Sequence, residues 1–396
     1  MKTADVVIIG GGCMGASVAY HLTRLGITDV VLIEREPALG AGSTGRNAGG
    51  VRHQFSHEAN VRLSIESIRL FEHFEDEIGY PLDFYQDGYL FLLASLANVD
   101  SFARGIEVQT KLGVDVAWLD PGDVVRYAPG VVVDDIRAAT FCARDGIADP
   151  HGVTQGFANA ARRAGMELWL DTTVTGIRLD RDEVAGVETS RGDIATRTVV
   201  NAAGPWAKAI GALAGVTLPI EPLRRHIFIA QPPSAQGWER AGVRTAPASR
   251  IMVIDFETTF YFHREGPNLL FGMGDPDEVT GGYDTTVDWD ILEKVEPVAT
   301  RRLPVLADAQ ITHAWAGLYE VTPDALPIIG PAGAVAGLYI IGGFSGHGFM
   351  HAPAAGRVVA DLIAGRDPGT VAAPFAFDRF SAAGEHGALA VETNVV

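Results

Sequence analysis

The chain has 396 residues, of which 47% are hydrophobic and 20% charged, as in a globular enzyme with room for two domains. Its formal net charge of −18 argues against nucleic acid or an anionic membrane as a partner. No uncharged run reaches the roughly twenty apolar residues of a membrane span, and the two cysteines lack metal-ligand spacing. We therefore expect a cytoplasmic protein with no membrane span and no metal site.

The first forty residues have the pattern of a dinucleotide-binding unit. The apolar run from Val6 to Ile9 predicts a buried strand, and a helical pattern from Ala16 to Leu25 follows it. The Gly-x-Gly-x-x-Gly loop between them lets the backbone approach a pyrophosphate at the helix N-terminus. A second apolar run ends at Glu34, whose carboxylate is placed to accept the hydroxyl groups of a ribose. The three glycines of the loop are Gly10, Gly12 and Gly15.

A second glycine-rich stretch, residues 40–50, contains too much glycine for a packed helix or strand. It predicts a loop whose backbone comes close to a flat or phosphorylated ligand. Arg52 and His53 follow it directly. The helical period from Ala59 to Glu77 then predicts a helix that packs on the core.

Short alternating apolar runs, separated by turn residues, predict a β-rich layer inserted at 84–144 and 222–309. Between these insertions the chain returns to strands, glycine turns and helices, so 1–83, 145–221 and 310–380 are predicted to form one doubly wound α/β domain. Three runs within 167–189 predict a three-stranded excursion from that domain. The tail, 381–396, is expected to be poorly ordered.

Three glycine turns in this order, joined by β-rich insertions, resemble the D-amino-acid-oxidase-like family of FAD oxidoreductases. The resemblance covers nearly the whole chain and is closest to the branch of sarcosine oxidase and the dye-linked proline dehydrogenase β-subunit. It implies a Rossmann-like FAD-binding domain with an interleaved, mixed-sheet α+β substrate domain. The pieces that carry it are Gly10–Gly15 with Glu34, Gly42–Arg46, Asn201–Trp206, Thr322–Asp324 with Pro327, and Gly342–Gly348.

The resemblance implies non-covalent FAD, because Gly317 stands where a covalent relative has the cysteine that carries the flavin. His53 would be the alternative attachment site. The last glycine turn would place a helix N-terminus at the pyrimidine edge of the flavin, where N–H groups stabilise the negative charge of reduction. The residues expected to hold the cofactor are Gly10, Gly12, Gly15, Glu34, Arg35, Ser43, Thr44, Arg46, Asn47, Val174, Ala202, Gly204, Trp206, Gly343, Phe344, Gly346, His347, Gly348, Phe349 and Met350.

The same resemblance assigns four residues to the substrate pocket. Arg52 aligns with an arginine that clamps the substrate carboxylate, for which a planar guanidinium is well suited. Tyr319 aligns with a tyrosine of that pocket, and Tyr261 is a further candidate. His347 is expected to form a hydrogen bond with the flavin or the substrate.

Two departures from the oxidases concern positive charge near the flavin. Met350 replaces a lysine, and the stretch Leu269–Gly274 lacks the lysine that promotes oxygen reduction. Since a fixed cation stabilises superoxide, we expect a dehydrogenase that reacts slowly with oxygen. Its electrons would then pass to a quinone, a dye or a redox protein.

The predicted activity is FAD-dependent oxidation of a small, carboxylate-bearing secondary or N-methylated amino acid, with hydride passing to flavin N5 to give an imine. One alternative is a 2-hydroxy acid or primary amino acid, for which His347 or His53 would have to accept a hydroxyl proton. Another is a flavoprotein whose main role is as a subunit or assembly factor of a larger complex, since relatives of this branch occur in heteromeric dehydrogenases.

Overall fold

The first sheet is centred on Val6–Ile9, four consecutive buried residues with a paired strand on each side. A strand that is apolar on both faces is stable only in the interior of a sheet that is covered on both faces. The computed structural model describes residues 2–231, 250–380 and 391–395.

The strands of the described residues alternate with helices in the first sheet and follow one another in the second. In chain order they are β1 (Lys2–Thr3), β2 (Val6–Ile9), β3 (Val30–Ile33), β4 (Gly50–Val51), β5 (Phe84–Tyr85), β6 (Tyr89–Leu93), β7 (Ala117–Leu119), β8 (Ala138–Cys142), β9 (Gly146–Ala148), β10 (Glu167–Trp169), β11 (Val174–Asp180), β12 (Glu183–Thr189), β13 (Ile194–Ala195), β14 (Val199–Asn201), β15 (Glu221–Gln231), β16 (Met252–Asp255), β17 (Phe260–Glu265), β18 (Asn268–Met273), β19 (Gln310–Val321), β20 (Ile328–Pro331) and β21 (Leu338–Gly342).

The α-helices of the same residues lie mainly on the first sheet. They are α1 (Cys13–Arg24), α2 (Glu58–Glu72), α3 (Phe74–Ile78), α4 (Leu96–Lys111), α5 (Pro150–Arg163), α6 (Ala207–Ala212), α7 (Leu292–Arg302) and α8 (Gly348–Ile363). No helix among them is both long and apolar enough to cross a bilayer.

The first sheet has six strands in the order β10-β3-β2-β14-β21-β20, all parallel except β20. One face packs on α1, α5 and α8, and the other face on a four-stranded sheet, β1-β13-β12-β11. The second sheet has eight strands in the order β19-β15-β18-β17-β16-β6-β8-β7, and α7 packs on it. This arrangement confirms the predicted α/β domain with an interleaved mixed sheet.

Two strands pair differently from the prediction. β10 pairs in parallel with β3, so it belongs to the first sheet and not to the excursion. β19 pairs along its length with β15, so residues 310–321 belong to the second sheet although the predicted boundary put them in the FAD domain. Apolar alternation identifies a strand and its buried face, but it does not identify the partner. The predicted helix over 59–77 is interrupted at His73, between α2 and α3.

The segment 391–395 is packed, in contrast to the poor order expected of the tail, whose residues 381–390 and 396 lie outside the described residues. Glu392 is 1% exposed, and its carboxylate accepts hydrogen bonds from the backbone N–H groups of Ser56 (2.8 Å) and His57 (3.0 Å) and from Asn60 Nδ2 (2.9 Å). Burial alone raises the pKa of Glu392, but the hydrogen bonds outweigh it and the pKa lies below its usual value.

We expect Glu392→Gln to reduce the free energy of unfolding by about 2–4 kcal/mol at pH 7, because buried donors lose a charged acceptor. Urea denaturation measures this difference. Because the pKa of Glu392 is lower in the folded state than in the unfolded state, its carboxylate stabilises the fold at pH values above the unfolded-state pKa. This stabilisation is lost as the pH falls through the folded-state pKa. The difference between variant and wild type should therefore shrink in acid.

Glu293→Gln is the control, since Glu293 is exposed on α7 and should change stability by no more than about 0.5 kcal/mol. Equal effects of the two substitutions would show that the 391–395 segment is not anchored by Glu392.

Candidate functional site

A cavity of about 670 Å³ lies where the carboxyl ends of the parallel strands meet the second sheet. Ile9, Ile33 and Ala202 line it from the first sheet, and Ile227 and Tyr261 line it from the second. Ligands of open α/β sheets bind at this edge, because the helix N-termini and the loops that follow the strands converge there.

The glycine loop brings α1 to this cavity. Gly10 has φ +113°, and a Cβ atom at this position would lie 2.3 Å from the carbonyl oxygen of Ala202. A Cβ at Gly15 would lie 2.0 Å from the carbonyl oxygen of Gly10, so only glycine allows the helix to pack this closely. Gly12 caps α1 without a side-chain hydrogen bond, and the N–H of Cys13 donates to Thr44 Oγ1, so the N–H groups later in the first turn are the ones available to an anion.

The acidic end of β3 is fixed by its own loop. The carboxylate of Glu34 accepts hydrogen bonds from the N–H groups of Gly11 (2.7 Å) and Glu36 (3.0 Å). Next to it, the Arg35 guanidinium lies 3.8 Å from the centre of the Trp206 ring. Both residues line the cavity together with Val174, and all three are among the residues predicted to hold the cofactor.

The turn at 43–47 lines the cavity, but most of its side chains bind protein groups. Ser43 Oγ donates to the carbonyl oxygen of Leu318 (2.6 Å), and Arg46 Nη1 donates to that of Ala316 (2.7 Å), so both tie the turn to β19. Thr44 Oγ1 accepts from the N–H of Cys13 (3.2 Å), and Asn47 Nδ2 donates to the carbonyl oxygen of Thr44 (2.6 Å). These residues shape the site and leave ligand contacts mainly to the backbone.

A second helix begins at the same cavity. The turn before α8 includes Gly346 at φ +97°, where a Cβ would lie 2.4 Å from Cε2 of Tyr319. His347 precedes the helix without a side-chain cap, so the N-terminal N–H groups of α8 also lack a side-chain partner. Two helix N-termini that converge on one cavity favour a ligand with negative charge at two places.

Both ring nitrogens of His347 have partners outside the cavity. Nε2 donates to the carbonyl oxygen of Ala325 (3.1 Å), so Nδ1 accepts from Nδ1 of His351 (3.3 Å). Nε2 of His351 in turn accepts from Ser64 Oγ (2.9 Å). Burial and the nearby Arg52 lower the pKa of His347 to about 4. The ring is therefore neutral and engaged, which does not favour the expected hydrogen bond from this ring to the flavin or substrate.

Arg52 lines the cavity with a guanidinium that is 3% exposed. It donates to the carbonyl oxygens of Gln54 and Asn394, and its Cζ lies 3.7 Å from the centre of the Phe55 ring. No carboxylate of the described residues lies within ion-pair distance of it. Burial lowers the pKa of Arg52, because a charged guanidinium is poorly solvated there.

Three tyrosines, Tyr89, Tyr261 and Tyr319, surround the same part of the cavity. None of their hydroxyl groups makes a hydrogen bond with another residue in the described part of the chain. Burial raises the pKa of each phenol above its usual value, so the hydroxyl groups stay protonated and can donate. Tyr319 and Tyr261 thus lie where the sequence placed them, and Tyr89 was not predicted.

Two further residues of the cavity with ionisable side chains were not predicted from the sequence. Glu320 has a buried carboxyl whose Oε2 has no hydrogen-bond partner in the described ranges, and burial raises its pKa to about 7. Arg225 lines the cavity from β15. Alternation along β19 would send Tyr319 and Glu320 to opposite faces, and nothing in the run Arg224-Arg225 shows which arginine points inward.

His53, which was considered as a base and as an attachment site, lies in a separate buried cluster. Its Nδ1 is 2.7 Å from Asp145 Oδ1, and Cys142 Sγ is 3.9 Å from the same nitrogen. These three residues are close enough to bind a metal ion, a juxtaposition that the sequence spacing did not reveal. Both oxygens of Asp145 already accept hydrogen bonds, from His53 and Gln54, so the cluster is satisfied by protein donors.

The residues of the cavity fit FAD. The glycine cradle and the open N-terminus of α1 suit a pyrophosphate, Glu34 suits a ribose, and the orphaned Oε2 of Glu320 suits a ligand hydroxyl. Of the predicted cofactor residues, Gly15 and Gly343 do not line the cavity, and the structure gives Gly15 its packing role.

Sequence comparison agrees with this geometry, because the family described as DAO, FAD dependent oxidoreductase, matches residues 5–362. The chain belongs to this family. Its cofactor is therefore FAD, and the resemblance drawn from the glycine turns is confirmed.

Among the relatives of this family, sarcosine oxidase subunit beta of an Arthrobacter species is 31% identical over 98% of the chain and 95% of that protein. Dimethylglycine dehydrogenase of Rattus norvegicus is 31% identical over 92% of the chain, which spans only 43% of that longer protein. The crystal structure of L-proline dehydrogenase from P. horikoshii is 36% identical with a TM-score of 0.86 and covers 96% of this chain and 98% of that one.

We expect Glu320→Gln to change the pH dependence of apoprotein stability. Because the folded-state pKa of about 7 exceeds the usual 4.5, the stability that Glu320 contributes is fully present below pH 4.5 and declines as the pH rises to 7. Glutamine stays neutral, so the variant should gain up to roughly 3 kcal/mol on the wild type across this window. Urea denaturation at several pH values measures the gain.

The exposed Glu107 provides the control, and Glu107→Gln should show a difference from wild type that does not vary with pH. A flat difference for Glu320→Gln as well would mean that Glu320 is ionised throughout this range.

Proposed function

We propose that this chain oxidises a small secondary or N-methylated amino acid, of the sarcosine or proline type, at the carbon next to the nitrogen. The observation that carries the proposal is Arg52, a buried cation without a carboxylate partner among the described residues, in the cavity that fits FAD. The relatives support it, since their names give sarcosine, dimethylglycine and L-proline as substrates, and each of these has an amine next to a carboxylate.

The residues of the chain bind and orient this substrate. Arg52 would hold both carboxylate oxygens and so fix the α-carbon. The protonated hydroxyl groups of Tyr89, Tyr261 and Tyr319 can donate to the substrate, and a neutral amine needs no protein base. FAD supplies the acceptor, flavin N5, for the hydride that leaves the substrate carbon, and the imine product can then be hydrolysed by water.

Oxidation of a 2-hydroxy acid would need an acceptor for the hydroxyl proton, and neither histidine considered for that role is placed to serve, whereas the buried carboxyl of Glu320 lines the cavity. His347 has both ring nitrogens engaged, and His53 is paired with Asp145 and does not line the cavity. A primary amino acid, in contrast, differs from the proposed substrates only at the nitrogen, and substrate screening has to separate the two.

The assembly and the electron acceptor remain predictions. The similarity to a protein named as a subunit of sarcosine oxidase favours a heteromeric complex, with a quinone, oxygen or a redox protein as acceptor. β18 contains no lysine, as the prediction of slow oxygen reduction required. However, Arg225 on the neighbouring strand lines the cavity, and its positive charge could stabilise superoxide in place of that lysine. A cytoplasmic location is likewise still a prediction.

We expect Arg52→Ala to raise the activation free energy of kcat/KM by about 2–5 kcal/mol, because a desolvated charge pair with the substrate is lost. Arg52→Lys should recover only part of the loss, since an ammonium cannot hold a carboxylate through two parallel hydrogen bonds. Anaerobic flavin reduction by sarcosine and by proline measures both variants, and Arg126→Ala, at an exposed arginine, is the control. Loss of FAD from Arg52→Ala would instead assign this residue to the cofactor.

We also expect FAD to be released completely by acid precipitation. Gly317 offers no thiol, and His53 is 2% exposed and outside the set of cavity-lining residues. Denaturing mass spectrometry should give the mass of the polypeptide alone. A yellow pellet and a mass increased by one FAD would contradict this, and peptide mapping would identify the attached residue.

A further inference from the structure

Arg225 is a second cation of the cavity that the proposed chemistry does not use. On β15, side chains alternate, so that Arg224 reaches Glu278 (3.2 Å) on one face while Arg225 and Ile227 line the cavity on the other. The guanidinium of Arg225 lies 5.4 Å from the centre of the Tyr319 ring. If Gly274 had a Cβ atom, Nη2 of Arg225 would lie 3.5 Å from it. The guanidinium is therefore next to the end of β18, in the stretch where the sequence lacks a lysine.

The guanidinium of Arg225 is poorly satisfied by the protein. Nε is buried without a hydrogen-bond partner, and Nη1 makes one bond of 3.2 Å to the carbonyl oxygen of Arg224. No carboxylate lies within ion-pair distance of it in the described ranges, whereas Arg224, next to it, has three. Leaving a donor of a charged group buried and unpaired is costly, so its presence at a cavity wall indicates a ligand that pairs with it.

Arg52 and Arg225 act on the same group of tyrosines. Burial raises the pKa of all three phenols, and nearby guanidinium groups offset part of that rise: both arginines at Tyr319, Arg225 at Tyr261 and Arg52 at Tyr89. The cavity therefore has two guanidinium groups near three hydroxyl groups that make no hydrogen bond among the described residues. A ligand with two carboxylates could give each of these cations a partner of its own.

We propose that Arg225 is a second anion-binding residue of the substrate cavity, and that the chain prefers secondary amines that carry two carboxylates. One carboxylate would bind Arg52 and the other Arg225, with the nitrogen between them beside the tyrosine hydroxyl groups. The proposal rests on the proposed amine oxidation. It identifies Arg225 as the residue that sets specificity within that class.

Two ethers that cannot react as amines test the binding step apart from catalysis. Diglycolate has the shape of N-(carboxymethyl)glycine, and methoxyacetate has that of sarcosine. Titrations of the FAD-loaded protein, followed by the change in the flavin spectrum, give the Kd of each. We expect wild type to bind diglycolate at least about tenfold more tightly, as a second charge-assisted pair would provide, and Arg225→Gln to lose that preference while binding methoxyacetate unchanged.

Arg224→Gln is the matched control, because it removes the same group from the opposite face of β15 and should keep the preference. Anaerobic flavin reduction by N-(carboxymethyl)glycine and by sarcosine should show the same ratios. Failure of every amine to reduce the flavin, with the ether preference intact, would overturn the proposed oxidation and not the anion site.

Several results would overturn the role of Arg225. Wild type could bind the two ethers equally, Arg225→Gln could weaken both alike, or the preference could survive the substitution. Loss of FAD from Arg225→Gln would assign the residue to the cofactor. Unchanged ligand binding with slower reoxidation by oxygen in stopped-flow would assign it to the acceptor reaction, and each of these outcomes contradicts a substrate role.

Discussion

The close approach of backbone to backbone at Gly10 is the constraint on which the site depends. The carbonyl oxygen of Ala202 occupies the space that a side chain at Gly10 would need, so the loops after β2 and β14 are in direct contact. That contact sets where α1 begins, and α1 in turn packs on α8. Gly346 likewise has no side chain, so the ring of Tyr319 can lie against the turn that starts α8. Glycine thus brings two uncapped helix N-termini and a pocket tyrosine to one cavity.

Charge is distributed in opposite ways over the chain and over its cavity. The protein has a formal charge of −18, yet Arg52 and Arg225 line the cavity and neither pairs with a described carboxylate. His347 and the tyrosines nearby are held neutral, since burial lowers the pKa of His347 and raises those of Tyr261 and Tyr319. In such surroundings a guanidinium interacts strongly with a bound anion, because burial reduces screening by water and no described carboxylate lies within ion-pair distance of either arginine. The proposed recognition of a carboxylate would therefore be local and would not need a basic surface.

Much of the cofactor site could be predicted because it depends on residues that are close in sequence. The glycine loop, Glu34 and the turn before α8 each carry their geometry in a short motif. Residues that depend on pairing between distant strands were missed: Glu320 and Arg225 line the cavity because β19, β15 and β18 are neighbours, and no local pattern contains that order. The engagement of both ring nitrogens of His347 was missed for the same reason, since it depends on Ala325 and His351.

The segment 391–395 shows how a distant part of the chain can set the chemistry of the site. Glu392 anchors this segment beside the start of α2, and two residues later the carbonyl oxygen of Asn394 accepts a hydrogen bond from Arg52. A carbonyl oxygen orients a guanidinium through one N–H without cancelling its charge, whereas a carboxylate in that position would form the ion pair that we propose for the substrate. Glu392 has the charge to do so, but backbone N–H groups and Asn60 hold its carboxylate instead. The cation of Arg52 is thus positioned by neutral acceptors and kept available for an anionic ligand.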